Sequence, residues 1–209
     1  GPLSRAGYFV YNDTSTPVIN PSDGWVVGRP GEAGYQDLYL FCYGHDYPAA
    51  LQDVRRLFGS SPLPPRYSLG LWFSRFPTFT ESELRGIITE FERNDLPLDV
   101  LVLDMEWHQR GWYGWDWSPT HFENPDEFFG FLRNKDLRAT LNVHPQFVPV
   151  EDSRFERFVT EAGITVLDDD CRSAELGSGV VFGNFDASIP SHARAFLEVL
   201  HKPVEDQGI

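Results

Sequence analysis

The chain has 209 residues, 41% hydrophobic and 23% charged, a balance that can bury a sizeable core and excludes wholesale disorder. With 31 Asp and Glu against 17 Lys and Arg, the formal charge of −14 repels phosphate backbones and anionic bilayers, which argues against nucleic-acid or membrane partners. The longest apolar runs, such as Val100–Leu103, fall far short of the roughly 20 residues that a membrane-spanning helix needs. No signal peptide is visible, and Gly1-Pro2 is compatible with a protease-cleavage scar. Two cysteines, Cys42 and Cys171, supply neither a disulfide framework nor a metal-ligand spacing and read as inert thiols. Asn12-Asp13-Thr14 is a glycosylation sequon, meaningful only in a secreted chain. Aromatic residues reach 15%, a high share that has to be placed somewhere in the fold.

Up to about Gly44 the pattern is β-rich: Tyr8–Tyr11, Trp25–Val27 and Leu38–Tyr43 are short aromatic and β-branched runs separated by turn residues. Asp46 opens a helix with apolar residues at Ala49, Ala50, Val54, Leu57 and Phe58, which Gly59 stops. Ser60–Pro65 reads as a boundary, because its three prolines suit neither a helix nor a central strand. Leu69–Phe73 is then a strand candidate. Thr80 and Glu83 have capping-box spacing, and Leu84, Ile87, Ile88 and Phe91 follow on one helical face. Val100–Leu103 is an unbroken apolar run, as expected of a strand buried on both faces. Asn124 with Pro125, Asp126 and Glu127 starts another helix, whose apolar face is Phe128, Phe129, Phe131 and Leu132. A strand over Ala139–Val143 and a helix over roughly Glu151–Ala162 come next. Ile164–Leu167 and Val180–Phe182 read as short strands, and Pro190 opens a last helix through Ala193, Phe196, Leu197 and Leu200.

After the prolines the order is therefore β-α-β-α-β-α and a final helix, which implies an α/β class with a parallel sheet. Both a doubly wound sheet and a (β/α) barrel satisfy that order. No GxGxxG or P-loop follows any strand. Polar and aromatic residues instead collect just past strand C-termini, at Ser74-Arg75-Phe76, Asp104–His108 and His144-Pro145, where a barrel places its active site. The pattern favours the barrel.

The densest chemistry is Asp104-Met105-Glu106-Trp107-His108, followed by Trp112, Tyr113, Trp115, Asp116 and Trp117, so that four of the six tryptophans fall within eleven residues. Residues two apart in a strand share a face, so Asp104 and Glu106 are expected to project the same way. A sugar offers hydroxyls at its edge and C–H groups on its face, and needs carboxylate acceptors beside aromatic platforms. The loop suits that task, although Trp112, Trp115 and Trp117 taken singly read as wall packing. Asp104, directly after a buried strand, needs a partner or a job. His144 either meets ligand or caps the sheet end, and Arg75 reads as an ion-pair partner. The remaining histidines, His45, His121, His192 and His201, show no ligand spacing, and no metal or cofactor motif appears.

Taken in order, five stretches resemble glycoside hydrolase family 31, the retaining α-glycosidases. They are Leu3–Gly7, DLYLFCYGHDY at Asp37–Tyr47, PLPPRYSLGLWFSR at Pro62–Arg75, PLDVLVLDMEWH at Pro97–His108 and LRATLNVHP at Leu137–Pro145. The resemblance implies a partial (β/α)8 barrel, about its first three βα units, preceded by the last strands of a β-sandwich domain. Residues 1–44 would end the sandwich, 45–65 would be a helix and Pro-rich linker, and 66–209 would form the N-terminal portion of the barrel. By the same resemblance, the N-terminal GPLS would be native rather than a scar.

By the same resemblance, Asp104 falls on the acid after the second barrel strand that binds hydroxyls of the sugar in the −1 subsite. Phe76 falls on an aromatic position lining that pocket. His144 matches a position where many members have Asp, and Glu106 and Trp107-His108 depart from the commoner Asp-Tyr-Met. These departures leave xylose-, galactose- or N-acetylhexosamine-type substrates open beside glucose. Substrate-binding residues are therefore expected at Asp104, Phe76, Glu106, Trp107 and His144, with no catalytic residue among them. The nucleophile and acid/base would lie beyond Ile209, and Asp168, Asp169 and Asp170 are no substitute. A complete barrel takes about 250 residues, so the length reads as a truncation or cleavage product, inactive alone. The alternative is a non-catalytic carbohydrate-binding or assembly fragment completed by a second polypeptide, since an open sheet edge invites a partner.

Overall fold

A computed structural model of the protein describes residues 3–29, 31, 34–110, 113–144, 147–165, 182–184 and 186–209. The chain divides into two compact units, residues 1–63 and 64–209.

In the first unit, β1 (Tyr8–Asn12) pairs antiparallel with β4 (Leu38–Cys42), in a register running from Tyr8 opposite Cys42 to Asn12 opposite Leu38. Between them lies a small hairpin of β2 (Val18–Ile19) and β3 (Val26–Val27). Where β1 begins and β4 ends, the Gly44 amide donates to Gly7 O at 2.8 Å. A Cβ on Gly7 would stand 3.1 Å from the Gly44 Cα, and both residues have positive φ, so this crossing of the chain needs glycine. The first helix, α1 (Tyr47–Phe58), starts because Asp46 accepts a hydrogen bond from the Ala49 amide at 3.1 Å and Pro48 fits the first turn. It ends at Gly59, at φ 85°, and packs Phe58 edge-on against Tyr11 with ring centres 5.0 Å apart.

The second unit is built on a parallel sheet of β5 (Trp72–Phe73), β6 (Val100–Leu103) and β9 (Arg138–Leu141), in the order β5-β6-β9. Trp72 pairs with Val100, and Val100 to Leu103 run beside Arg138 to Leu141. Each strand leads into a helix: α2 (Glu81–Arg93), α3 (Pro125–Asn134) and α4 (Phe155–Ala162). The Thr80 capping box forms in both directions, with Glu83 accepting from the Thr80 amide at 2.8 Å and Thr80 Oγ1 from the Glu83 amide at 3.3 Å. Asn124 caps α3 by accepting from the Glu127 amide. The chain continues through α5 (Pro190–Ala195), a π-helical stretch (Phe196–His201) and α6 (Lys202–Glu205). Pro203 accounts for the widening: its ring cannot sit over a regular carbonyl four residues back, and the Lys202 amide reaches five back, to Leu197 O.

The core explains where the aromatic residues went. Leu84 and Ile88 of α2, Leu101 and Leu103 of β6, and Phe128, Phe129 and Leu132 of α3 are all buried. Trp107, Trp115, Phe122, Phe155 and Phe158 join them, as do Ala195, Val199, Leu200 and Val204 from the last helices.

Several local expectations change. Helix α4 begins four residues later than the pattern suggested, because 151–154 form turns in which Asp152 accepts from the Trp115 and Asp116 amides and Arg154 donates to Trp115 O. Ile164 and Thr165 are not in a strand, and residues 166–181, which hold the rest of the two expected short strands, Asp168–Asp170 and Cys171, lie outside the described residues. The strand at Phe182–Asn184 (β11) pairs antiparallel with β10 (Phe147–Pro149), separate from the parallel sheet. A hairpin of β7 (His108–Arg110) and β8 (Tyr113–Trp117) follows β6, where the sequence had suggested a tryptophan-rich loop. Among the described residues, no helix is long and apolar enough to cross a membrane.

Candidate functional site

Because β5, β6 and β9 are parallel, the residues that follow them all emerge at one end of the sheet. These are Phe76 after β5, Asp104 after β6, and Asn142 and His144 after β9. The register sets two of them side by side. Leu103 pairs with Leu141, and the ladder extends one step further as the Asn142 amide donates to Leu103 O at 2.9 Å. Asp104 and Asn142 are the next residues on the two strands, and Asn142 Nδ2 donates to Asp104 Oδ1 at 2.5 Å. The carboxylate after the buried strand therefore has a partner as well as an opening, since Asp104 is only half-buried.

Trp107 completes this corner from behind. It is 0% exposed, and its indole Nε1 donates to Asn142 O at 2.8 Å. Its ring packs 4.9 Å from that of Trp117 and edge-on, at 6.5 Å, to that of Trp115. Trp107 thus supports the corner and presents no face to a ligand in this structure. Trp115 is equally buried, and Trp117 turns its indole N–H to Gln207 Oε1 at 3.0 Å. Trp112 lies outside the described residues.

Glu106 departs from the expected shared face with Asp104. The strand ends at Leu103, and Glu106 sits in a turn at φ 55°, so the two-residue alternation of a strand no longer applies. Its carboxylate, 43% exposed, lies 3.9 Å from His121 Nε2, while His121 Nδ1 bonds Ser118 Oγ at 2.8 Å. Glu106 and Asp104 therefore serve different neighbours. His144 is half-buried with its ring 5.8 Å from that of Tyr113. Phe76 is 65% exposed at the same sheet end. Arg75 is exposed and makes no ion pair among the described residues, contrary to expectation.

The β7–β8 hairpin is fixed by a buried carboxylate that the sequence did not single out. Asp152, 7% exposed, accepts from the amides of Trp115, Asp116 and Arg154, the last two at 3.1 and 3.0 Å. In return Asp116 accepts from the Ser153 amide and hydroxyl at 2.8 and 2.5 Å, and Arg154 donates to Trp115 O at 2.5 Å. Asn142 too carried no sequence signal of its own: an asparagine in an apolar strand acquires meaning only once the register brings it beside Asp104. Among the described residues, no three His, Cys, Asp or Glu side chains cluster so as to hold a metal ion.

Chemically, the corner offers a carboxylate with one oxygen held and the other making no hydrogen bond to a described residue, and the exposed Phe76 ring follows β5 at the same end of the sheet. That pairing is suited to hydroxyls on one side and an apolar ring face on the other. Residues 61–206 match the family model described as the glycosyl hydrolases family 31 TIM-barrel domain. An alpha-xylosidase of Saccharolobus solfataricus is 26% identical over 170 residues, covering 77% of this chain and 23% of the relative. Alpha-glucosidase 2 of Bacillus thermoamyloliquefaciens is 33% identical over 114 residues, covering 54% of this chain and 14% of that enzyme. The chain thus spans less than a quarter of either relative. Among solved structures, an alpha-xylosidase from a soil metagenome complexed with xylose superposes with a TM-score of 0.63 at 20% identity, covering 97% of this chain and 30% of its own. The Xanthomonas citri alpha-xylosidase gives 0.62 at 22% identity, covering 85% and 20%. At those identities the structural likeness speaks for the α/β fold.

Proposed function

As the chain belongs to glycosyl hydrolase family 31, we propose that it is part of a retaining α-glycosidase that releases terminal α-linked sugars from oligosaccharides or glycoconjugates. Residues 66–209 are then the first portion of the catalytic (β/α)8 barrel, and residues 1–44 the last strands of a preceding β-sandwich. The observation that carries the reading is Asp104: a carboxylate at the C-terminal end of a buried parallel strand, oriented by Asn142 and open on its other side. Asp104 accepts hydroxyls of the sugar in the −1 subsite, Phe76 lines the sugar's apolar face, and His144 and Glu106 border the pocket. Trp107 contributes by holding the backbone behind Asp104.

A retaining mechanism needs two further carboxylates roughly 5–5.5 Å apart, one as nucleophile and one as acid/base. Those groups are supplied from outside residues 1–209, and the 209-residue chain by itself turns over no substrate. Xylosidase and glucosidase relatives both support an α-glycoside substrate, and both sugars present a hydroxyl edge that Asp104 can bind. The experiment is a panel of nitrophenyl α-xyloside, α-glucoside, α-galactoside and N-acetyl-α-galactosaminide, offered to the protein with its barrel complete, with the first-formed anomer read by NMR. Turnover of at least one α-glycoside with retention of configuration is expected. Cleavage of β-glycosides alone, or inversion, would overturn the reading.

A further inference from the structure

The reading of Asp104 as a sugar-binding carboxylate leaves open what holds it in one orientation, and an aspartate at a strand end has several staggered rotamers. We propose that Asn142 is the positioning residue for Asp104, and that Trp107 in turn locks Asn142, so that the −1 carboxylate is aimed through a three-residue relay. This inference rests on the proposed role of Asp104.

The geometry fixes the backbone amide, the backbone carbonyl and the side-chain Nδ2 of Asn142. Its backbone amide is held by Leu103 O at 2.9 Å. Its backbone carbonyl accepts from the buried Trp107 indole at 2.8 Å. With both backbone groups pinned, the side-chain amide is delivered to Asp104 Oδ1 at 2.5 Å, across two strands whose register is set by four consecutive pairs from Val100 with Arg138 to Leu103 with Leu141. The Asn142 N–H and a sugar hydroxyl are both donors, and with the N–H placed on Oδ1 the lone pairs of Oδ2 stay available to the hydroxyl. Asn142 therefore occupies one oxygen of the carboxylate and leaves the other for ligand. Asp104 Oδ2 makes no hydrogen bond to any described residue. A binding group whose rotamer is already fixed pays less ordering entropy when substrate arrives, and this advantage is largest where the contact tightens in the transition state.

The test is a double-mutant cycle in the protein with its barrel complete, on whichever nitrophenyl α-glycoside the wild type cleaves best. Asn142→Ala should lower kcat/KM by about tenfold, the effect of losing one hydrogen bond to a charged group. In an Asp104→Ala background the same substitution should lower it less than about twofold further, because the two residues act as one unit. Full additivity of the two losses would overturn the relay. An unchanged rate for Asp104→Ala would instead remove Asp104 from the site and so refute the underlying reading, a different result from additive losses.

Asn142→Asp supplies an independent readout that survives if Asn142→Ala fails to fold. It keeps the volume but sets a second carboxylate against Asp104, so one proton must be shared between the pair. The pH profile of kcat/KM should gain a new ionisation, with activity recovering as pH falls. His144 and Glu106, two residues along each strand end, and His121 beside Glu106 are unchanged by the substitution, so a new limb belongs to the pair. A profile of wild-type shape would contradict the proposal.

Discussion

Removing the Trp107 ring tests the corner at its base. Trp107 is 0% exposed, with Trp117 at 4.9 Å, Trp115 at 6.5 Å and the His108 ring at 3.8 Å, so Trp107→Ala would leave a large cavity among rigid aromatic neighbours. A fully buried tryptophan truncated to alanine typically costs about 3–5 kcal/mol. Trp107→Phe separates two contributions. It keeps most of the packing but deletes the indole N–H that satisfies Asn142 O, which costs about 1–3 kcal/mol if the carbonyl is left without a partner. The expected order of stability is therefore wild type, then Trp107→Phe, then Trp107→Ala, read from urea unfolding with the slope of the transition held constant. Kinetics provide the second axis. Because Trp107 acts through Asn142, Trp107→Phe should lower kcat/KM alongside stability, whereas a tryptophan stacked on sugar would change KM with little loss of stability. A Trp107→Ala protein destabilised by less than about 1 kcal/mol would refute the buried placement.

Three other substitutions probe the supporting structure. Asp152→Ala strips the acceptor from the amides of Trp115, Asp116 and Arg154; a loss of at least 2–3 kcal/mol by urea unfolding is expected, at roughly 1–3 kcal/mol per stranded buried group, and a neutral result would show that the hairpin does not depend on it. Gly70→Ala places a methyl 2.1 Å from Asp99 Oδ2, the atom that accepts from the Leu71 amide, so a loss of about 1–3 kcal/mol from overpacking should appear in the melting curve. The Glu83 carboxyl is held below the ordinary glutamate range, first by the Thr80 amide and then by the Thr80 hydroxyl. A depressed folded-state value gives stability that is present above the unfolded glutamate value and lost as pH falls through the folded one. The Tm gap between wild type and Glu83→Gln should accordingly be widest at neutral pH and close in acid; a gap that widens in acid would contradict the capping-box assignment.

What the sequence made legible was whatever depends on neighbours in the chain. The run Val100–Leu103 marks β6 because four apolar residues between polar ones suit a strand covered on both faces. Asp46, Thr80 and Asn124 announce their helices through caps that act over three residues. The pairing of Asp104 with Asn142 depends instead on the register of strands 38 positions apart, which no local pattern encodes. The expectation that Asp104 and Glu106 share a face assumed the strand continued, and the left-handed turn at Glu106 breaks that alternation. Hairpin β7–β8 was hidden by its composition, with polar Gln109 and Arg110 in one strand and Gly114 at φ 94° in the other. The tryptophan cluster carried no direction in the sequence: Trp107 and Trp115 point into the core, and Trp107 holds the Asn142 carbonyl next to Asp104.

The most direct measurement is a crystal structure of the protein with its barrel complete, bound to the monosaccharide product of its best α-glycoside. A sugar hydroxyl within about 3 Å of Asp104 Oδ2, with Oδ1 still held by Asn142, is the expected result. A sugar bound in the barrel that makes no contact with Asp104 would contradict the assignment of this corner to the −1 subsite.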